Sequence, residues 1–105
     1  MKEKVILELE KVTITNKKII VNTRKEEVVI EYDNVKEGSY NKKNFFNYLF
    51  MQASNYPPGW LFIKFKKKIG KRSSIAFKIE HEDLLKLPNE IVNALTLYDY
   101  FRLGN

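Results

Sequence analysis

The sequence predicts an α+β domain built from antiparallel strands and two helices. Apolar and polar residues alternate through 5–33, which is typical of strands that are buried on one face. The period becomes helical at 41–54 and again near the C-terminus, and 60–80 returns to alternation between these segments. With 105 residues the chain is long enough for one core, so we expect a single domain spanning 1–105.

The first predicted strand contains a change of phase. Apolar residues occupy odd positions from Val5 to Leu9 and even positions at Val12 and Ile14. A single extra residue near positions 10 and 11 would produce this change, because side chains in a strand alternate between two faces. We therefore expect a bulge or a corner at this point of the strand.

Polar turns continue the meander. Turns at 15–18 and 23–25 separate β-branched runs at 19–21 and 28–32, so we expect further strands joined by short turns. Gly38 and Ser39 then interrupt the alternation, and we expect the first group of strands to end before them.

The segment 41–54 is predicted to be a helix with an aromatic face. The stretch 55–59, which contains two prolines and a glycine, ends this helix. Packing in the core is the favoured interpretation of the aromatic face, and partner binding is the alternative. The residues that share the face are Phe45, Phe46, Leu49, Phe50 and Ala53.

The segment 60–80 reads as a hairpin that turns around Ile69 and Gly70. One face of each strand is apolar and is expected to point inward, whereas Trp60 and Phe62 point the other way. Six cations surround the turn, and an anionic ligand is one explanation for them. Protection of an edge strand by solvated lysines is the other. The six are Lys64, Lys66, Lys67, Lys68, Lys71 and Arg72.

The C-terminal segment is predicted to be helical. Pro88 suits a first-turn position, so we expect a short turn at 82–86, then a main helix that stops at Gly104. Near its end the segment is more apolar than a solvated end needs, and a dimer contact or a peptide-like recognition surface would use residues such as Tyr98, Tyr100, Phe101 and Leu103. The residues at helical spacing are Leu84, Leu87, Ile91, Leu95 and Tyr98.

Composition limits the classes of function. Nineteen Lys and Arg against thirteen Asp and Glu give a formal net charge of +6, which favours anionic partners. The absence of cysteine excludes disulfides, thiolate metal sites and cysteine nucleophiles. Acidic residues in the first ten positions leave no room for a signal peptide, and no apolar run is long enough to span a membrane. We therefore expect a soluble cytoplasmic protein.

No catalytic motif is recognisable in the sequence. It contains no glycine-rich phosphate loop, no nucleophile elbow and no convincingly spaced pair of carboxylates. His81 lies among Glu80, Glu82 and Asp83, but consecutive side chains point in different directions and rarely converge on one ion. We expect no enzymatic activity, no cofactor and no metal site.

The order of the predicted elements is informative in itself. A meander, VILELEKVTITNKKIIVNTRKEEVVIEYDNVK, precedes the strands IKFKK and IAFKIE and the closing helix LPNEIVNALTL. This order resembles that of bacterial pleckstrin-homology-like (PH-like) domains, including those of GRAM type. The resemblance implies a strongly bent antiparallel sheet or small barrel of about six to seven strands. It also implies that the helix at 41–54 is an insertion and that the C-terminal helix closes one end.

Two functions fit these observations. The first is a non-catalytic interaction module, PH-like by this resemblance, that binds a protein partner or an anionic membrane surface. The second is a small basic nucleic-acid-binding protein that uses the hairpin, with bases stacked on Trp60. The oligomeric state is left open, and a dimer through the C-terminal helix is possible. The predicted binding residues are Trp60, Lys64, Lys66, Lys67, Lys68, Lys71 and Arg72.

Overall fold

The structure is a computed structural model, and it describes residues 2–40 and 59–97. These residues form seven strands and two short α-helices, which confirms the α+β class and the antiparallel strands. In chain order the elements are β1 (Val5–Glu8), β2 (Val12–Thr15), β3 (Lys18–Asn22), β4 (Glu27–Glu31), β5 (Val35–Tyr40), β6 (Trp60–Ile69), β7 (Arg72–Lys78), α1 (His81–Leu84) and α2 (Asn89–Ala94). The helix predicted at 41–54 lies outside the described residues.

The strands form two antiparallel sheets. The first contains β1, β2, β3 and β4 in sequence order, and the second contains β5, β6 and β7 in sequence order. The chain passes from one sheet to the other through a 3-10 turn at Tyr32–Asn34. Within the described ranges no strand of one sheet pairs with a strand of the other, so the strands do not close into a barrel.

The inward faces of both sheets and both helices bury one hydrophobic cluster of the described residues. Strand alternation delivers the sheet residues to this cluster, as in β4, where Val28 and Ile30 are buried and their neighbours are exposed. Complete burial of such a side chain contributes about 1.5–3 kcal/mol each. The most deeply buried side chains are Ile14, Ile19, Ile30, Leu61, Ile63, Ile79, Leu84, Leu95, Leu97 and Val28.

The change of phase near residue 10 comes from a turn between two strands. The chain reverses between β1 and β2, and the Leu9 N–H donates to the Val12 carbonyl oxygen at 2.7 Å. The prediction of a bulge or corner at this point was therefore wrong. The odd and even apolar sets belong to two antiparallel strands, and each strand has its own phase.

The interruption at Gly38 does not end a strand, because Gly38 lies inside β5 opposite Ile63 of β6. The Gly38 N–H donates to Thr96 Oγ1 at 2.8 Å, and the Thr96 hydroxyl donates to the Gly38 carbonyl oxygen at 3.2 Å. A Cβ at position 38 would collide with the Leu95 carbonyl group. The glycine is therefore needed for close approach of backbone to backbone, and it does not break the sheet.

The C-terminal segment begins as predicted and ends earlier. A short helix α1 precedes Pro88, which lies immediately before α2. The prediction that the main helix continues to Gly104 was wrong, because α2 ends at Ala94. Thr96 follows with a φ of 52°, which cannot continue a right-handed helix. The Leu97 N–H donates to the Val92 carbonyl oxygen at 2.9 Å and the Thr96 N–H donates to that of Asn93 at 3.1 Å, so a Schellman motif ends the helix.

Candidate functional site

The turn end of the β6–β7 hairpin exposes four lysines, Lys66, Lys67, Lys68 and Lys71. We call these four residues the lysine tip. The ladder is irregular here, since Lys64 stands opposite Ser74 and Ile69 opposite Arg72. The β6 residues between Lys64 and Ile69 thus have only Ser73 across from them, so this part of β6 leaves the regular ladder.

A side-chain amide holds this irregular part of β6 in place. The Asn34 amide nitrogen donates to the Lys67 carbonyl oxygen at 3.0 Å, and the Lys67 N–H donates to Asn34 Oδ1 at 2.8 Å. An Asn amide offers one acceptor and two donors, so it can take the place of a neighbouring strand residue. The backbone of the lysine tip is therefore anchored to the 3-10 turn while its side chains remain exposed.

The other predicted residues near the turn are in different environments. Arg72 Nε lies 3.3 Å from Glu26 Oε2, so this cation has an acidic partner. Lys64 is exposed and stands between Glu37 of β5 and Ser74 of β7. Ile69 is partly buried and packs against the core, so the tip presents no apolar side chain of its own. Among the described ion pairs none involves the lysine tip.

Trp60 lies far from the lysine tip. It opens β6 opposite Lys78 and is half-buried on the outer face of the three-stranded sheet, together with Phe62. Lys66 lies six positions after Trp60, and at roughly 3.3 Å per strand residue the distance is about 20 Å. The structure therefore brings the four lysines together and leaves Trp60 at the opposite end of the hairpin.

A groove runs along the outer edge of β7. Its volume is about 1150 Å³, and both faces of β7 contribute to its lining. The opposite wall comes from the first sheet, where 9–12 and 21–24 surround the ends of β2 and β3. The sequence did not reveal this groove, because its two walls are far apart in the chain and meet only through the arrangement of the sheets.

The edge strands β5 and β7 of the second sheet differ in their hydrogen bonding. The Ile79 N–H donates to the Gly59 carbonyl oxygen, and these two residues continue the β6–β7 register. This bond therefore shows which residues of β7 form hydrogen bonds to β6. In an antiparallel pair, residues alternate between those that bond to the partner and those that point away. Ser74, Ala76 and Lys78 therefore direct their N–H and C=O groups away from β6, into the groove.

At β5 the outward groups include those of Gly38, and Thr96 binds both of these. No described residue bonds to the outward backbone groups of β7. The β5 edge is thus capped at Gly38, whereas the β7 edge borders the groove.

One of the acidic residues around His81 has a basic partner. Asp83 forms an ion pair with Lys86, with 3.4 Å between Oδ1 and Nζ. No group of three or more His, Asp or Glu residues that could hold a metal ion occurs in the described ranges. The same ranges contain no helix long and apolar enough to cross a membrane.

Comparisons with protein-family models, with curated proteins and with solved structures find no match for this chain.

Proposed function

We propose that the protein is a non-catalytic interaction module that docks on an anionic membrane surface through the lysine tip. The observation that supports this proposal is the set of exposed lysines on one anchored turn, none of which has an acidic partner in the described part of the chain. A cation near an anionic membrane contributes about 1 kcal/mol, so four contribute about 4 kcal/mol. This favours anionic over neutral membranes by roughly a thousandfold at low salt.

Lysine chemistry and the position of Trp60 favour a membrane over nucleic acid. Single-strand binders combine phosphate contacts with aromatic stacking in one groove. Here Trp60 is about 20 Å from Lys66 along β6, and Arg72 is engaged by Glu26. Lysine ammonium groups act as point charges, which suits lipid headgroups that present no fixed geometry. Because Ile69 packs inward, binding would be electrostatic and strongly salt-dependent.

A PH-like fold is part of the same proposal. The resemblance leads us to expect a strongly bent sheet and a closing helix. Seven antiparallel strands that share one hydrophobic cluster with α2 support it. In such a domain the hairpin β6–β7 contributes Leu61, Ile63, Ile75 and Phe77 to the core, and its turn carries the exposed cations.

Vesicle sedimentation tests the lysine tip directly. Wild-type protein should sediment with phosphatidylserine-containing vesicles at low salt, remain in solution with phosphatidylcholine alone, and dissociate at high salt. Replacing Lys66, Lys67, Lys68 and Lys71 by Gln should abolish this binding. The matched control replaces four exposed lysines elsewhere, and it should retain most of the binding despite the same change in net charge. These control positions are Lys2, Lys4, Lys17 and Lys25.

Nucleic acid provides the competing outcome. Single-stranded and duplex oligonucleotides are titrated into the same proteins at the same two salt concentrations. Tight binding to either one, lost in the lysine-tip variant, together with no vesicle binding, would replace the membrane proposal by the nucleic-acid alternative. Equal loss of vesicle binding in the tip variant and the control variant would show that net charge, not the lysine tip, is responsible.

A further inference from the structure

We propose that the groove beside β7 binds an extended peptide segment of a partner protein, which adds to β7 as an antiparallel strand. This site is separate from the lysine tip and does not depend on the membrane proposal. Its recognition chemistry is that of a sheet edge, in which backbone hydrogen bonds supply affinity and alternate side chains supply specificity.

The first argument is the hydrogen-bonding capacity of the β7 edge. Ser74, Ala76 and Lys78 direct their N–H and C=O groups into the groove, because the Ile79 to Gly59 bond sets the phase of the ladder. Proteins generally cover or interrupt a free edge of this kind, since it can pair with any extended chain. On β5 the outward groups of Gly38 are capped by Thr96, whereas no described residue caps β7.

The second argument is the shape of the groove. It follows β7 over its whole length, Arg72–Lys78, which is roughly 20 Å of extended chain. The volume of about 1150 Å³ is at or above the upper end of the range for small-molecule pockets, roughly 300–1,000 Å³. Trp60 and Ala76, which line the groove and are half-buried, offer apolar contacts to side chains of an extended peptide.

The third argument is the distribution of charge along the groove. Arg72 lines one end, and its partner Glu26 belongs to the same turn as Arg24, so both arginines are near this end. Lys78, Glu80 and Asp83 line the other end, where the two acidic residues outnumber the lysine. Glu10 and Lys11 line the opposite wall, and their charges are opposite.

Arg24 and Glu80 form no ion pair in the described part of the chain, whereas Arg72 and Asp83 do. An antiparallel peptide begins near Glu80 and finishes near Arg24. It would therefore have a basic residue toward its N-terminus, alternating apolar residues in the middle and an acidic residue toward its C-terminus.

A second copy of this chain fits the groove less well than a peptide. In a symmetric pair each β7 would bring its own wall of turns, 9–12 and 21–24, toward the groove of the other copy. A peptide has no such wall and occupies only the space of one strand. We therefore assign the groove to a peptide, and self-association becomes an outcome of the test.

The probe is a phage-displayed library of random dodecapeptides, selected on the full chain and followed by titration of synthetic versions of the enriched sequences. The key variant is Ala76→Pro, which removes an outward N–H without removing any β6–β7 hydrogen bond. The matched control is Val29→Pro, which removes an outward N–H from the edge strand β4. The Thr23 N–H donates to the Glu26 carbonyl oxygen, and this pair continues the β3–β4 register. By alternation the backbone groups of Val28 and Ile30 bond to β3, and those of Val29 point away from it.

We expect enriched peptides with the charge order stated above, and at least roughly tenfold weaker binding to Ala76→Pro than to Val29→Pro. Arg24→Glu should also weaken binding, whereas Lys25→Glu should not, because Lys25 carries the same charge in the same turn but does not line the groove. If Ala76→Pro fails to fold, amide hydrogen exchange of the wild type serves instead, and the peptide should slow exchange at Ser74, Ala76 and Lys78.

Three results would overturn the proposal. The first is a selection that enriches no peptide, and the second is a set of peptides that bind Ala76→Pro as well as wild type or protect amides elsewhere. The third is a wild-type dimer that Ala76→Pro converts to a monomer, which would assign the groove to a second copy. Peptide binding that survives the lysine-tip substitutions, with or without vesicle binding, separates this site from the membrane proposal.

Discussion

Gly38 provides the sharpest test of how the second sheet and α2 fit together. Glycine inside a strand is normally unfavourable by roughly 0.5–1 kcal/mol relative to alanine, so local preference alone makes Gly38→Ala stabilising. In this structure, by contrast, we expect Gly38→Ala to be destabilising. The backbone at Gly38 has no positive φ, but a Cβ built there would lie 3.2 Å from the Leu95 carbonyl carbon and closer still to its oxygen. The atoms on the other side are backbone, so no side chain can rotate away.

The size of this destabilisation follows from the contacts of Leu95 and Thr96, which a Cβ at position 38 would displace. Leu95 is fully buried, and exposing such a side chain costs about 1.5–3 kcal/mol. Thr96 makes two hydrogen bonds to Gly38, each worth about 0.5–1.5 kcal/mol net. Since relaxation keeps part of these contacts and alanine recovers some strand preference, we expect Gly38→Ala to lower the free energy of unfolding by about 3 kcal/mol.

Urea unfolding followed by the fluorescence of the single tryptophan, Trp60, measures this effect. Gly70→Ala is the matched control. Gly70 has a φ of 63° and nothing within 4 Å of a built Cβ, so alanine there adds left-handed strain but no collision. We expect that variant to lose about 1 kcal/mol. If Gly38→Ala is as stable as wild type, or no less stable than Gly70→Ala, then the Leu95 carbonyl group does not closely approach Gly38, and the predicted destabilisation is wrong.

Three further predictions concern single contacts. Thr96→Val should destabilise the fold by about 2 kcal/mol in urea unfolding, because it leaves the Gly38 edge groups without a partner, whereas Thr96→Ser should be near neutral. Burial raises the pKa of Tyr32, so its contribution to stability is complete below the ordinary tyrosine value of about 10 and is lost as pH rises further. Tyr32→Phe, which also removes the bond to the Thr15 carbonyl, should show a smaller loss of stability above that pH than wild type. The Thr15 hydroxyl donates to Glu3 and lowers its pKa, so Thr15→Val should return the Glu3 pKa toward its ordinary value in an NMR titration, and an unchanged value would contradict this assignment.

Much of the fold was readable from the sequence, because strand alternation is a local property. The hairpin β6–β7, its turn at Gly70 and the inward set Leu61, Ile63 and Phe65 follow from period-two burial and one glycine. Predictions failed where one residue is compatible with two different local structures. Gly38 looked like a break because nothing nearby in the chain shows that Leu95 approaches it.

The candidate site divides in the same way. The sequence supplied all six cations of the hairpin, but it could not separate Arg72, which Glu26 engages, from the four lysines of the tip. It placed Trp60 in the same site because the two are close in sequence, although an extended strand holds them about 20 Å apart. The Asn34 amide that anchors Lys67 lies 33 residues away and gave no signal in the pattern.

The amino-acid sequence by itself determined the antiparallel strands and the charge of this protein, since alternation and turn residues act over a few neighbouring positions. Only the tertiary structure decided which cation of the hairpin has a described acidic partner, which glycine is needed for close approach, and where the edge of β5 is capped. Thr96 reaches Gly38 across 58 residues, and the β7 groove needs turns from the opposite sheet as its wall. Contacts between distant segments depend on how two sheets pack, and that arrangement has no local signature in the chain.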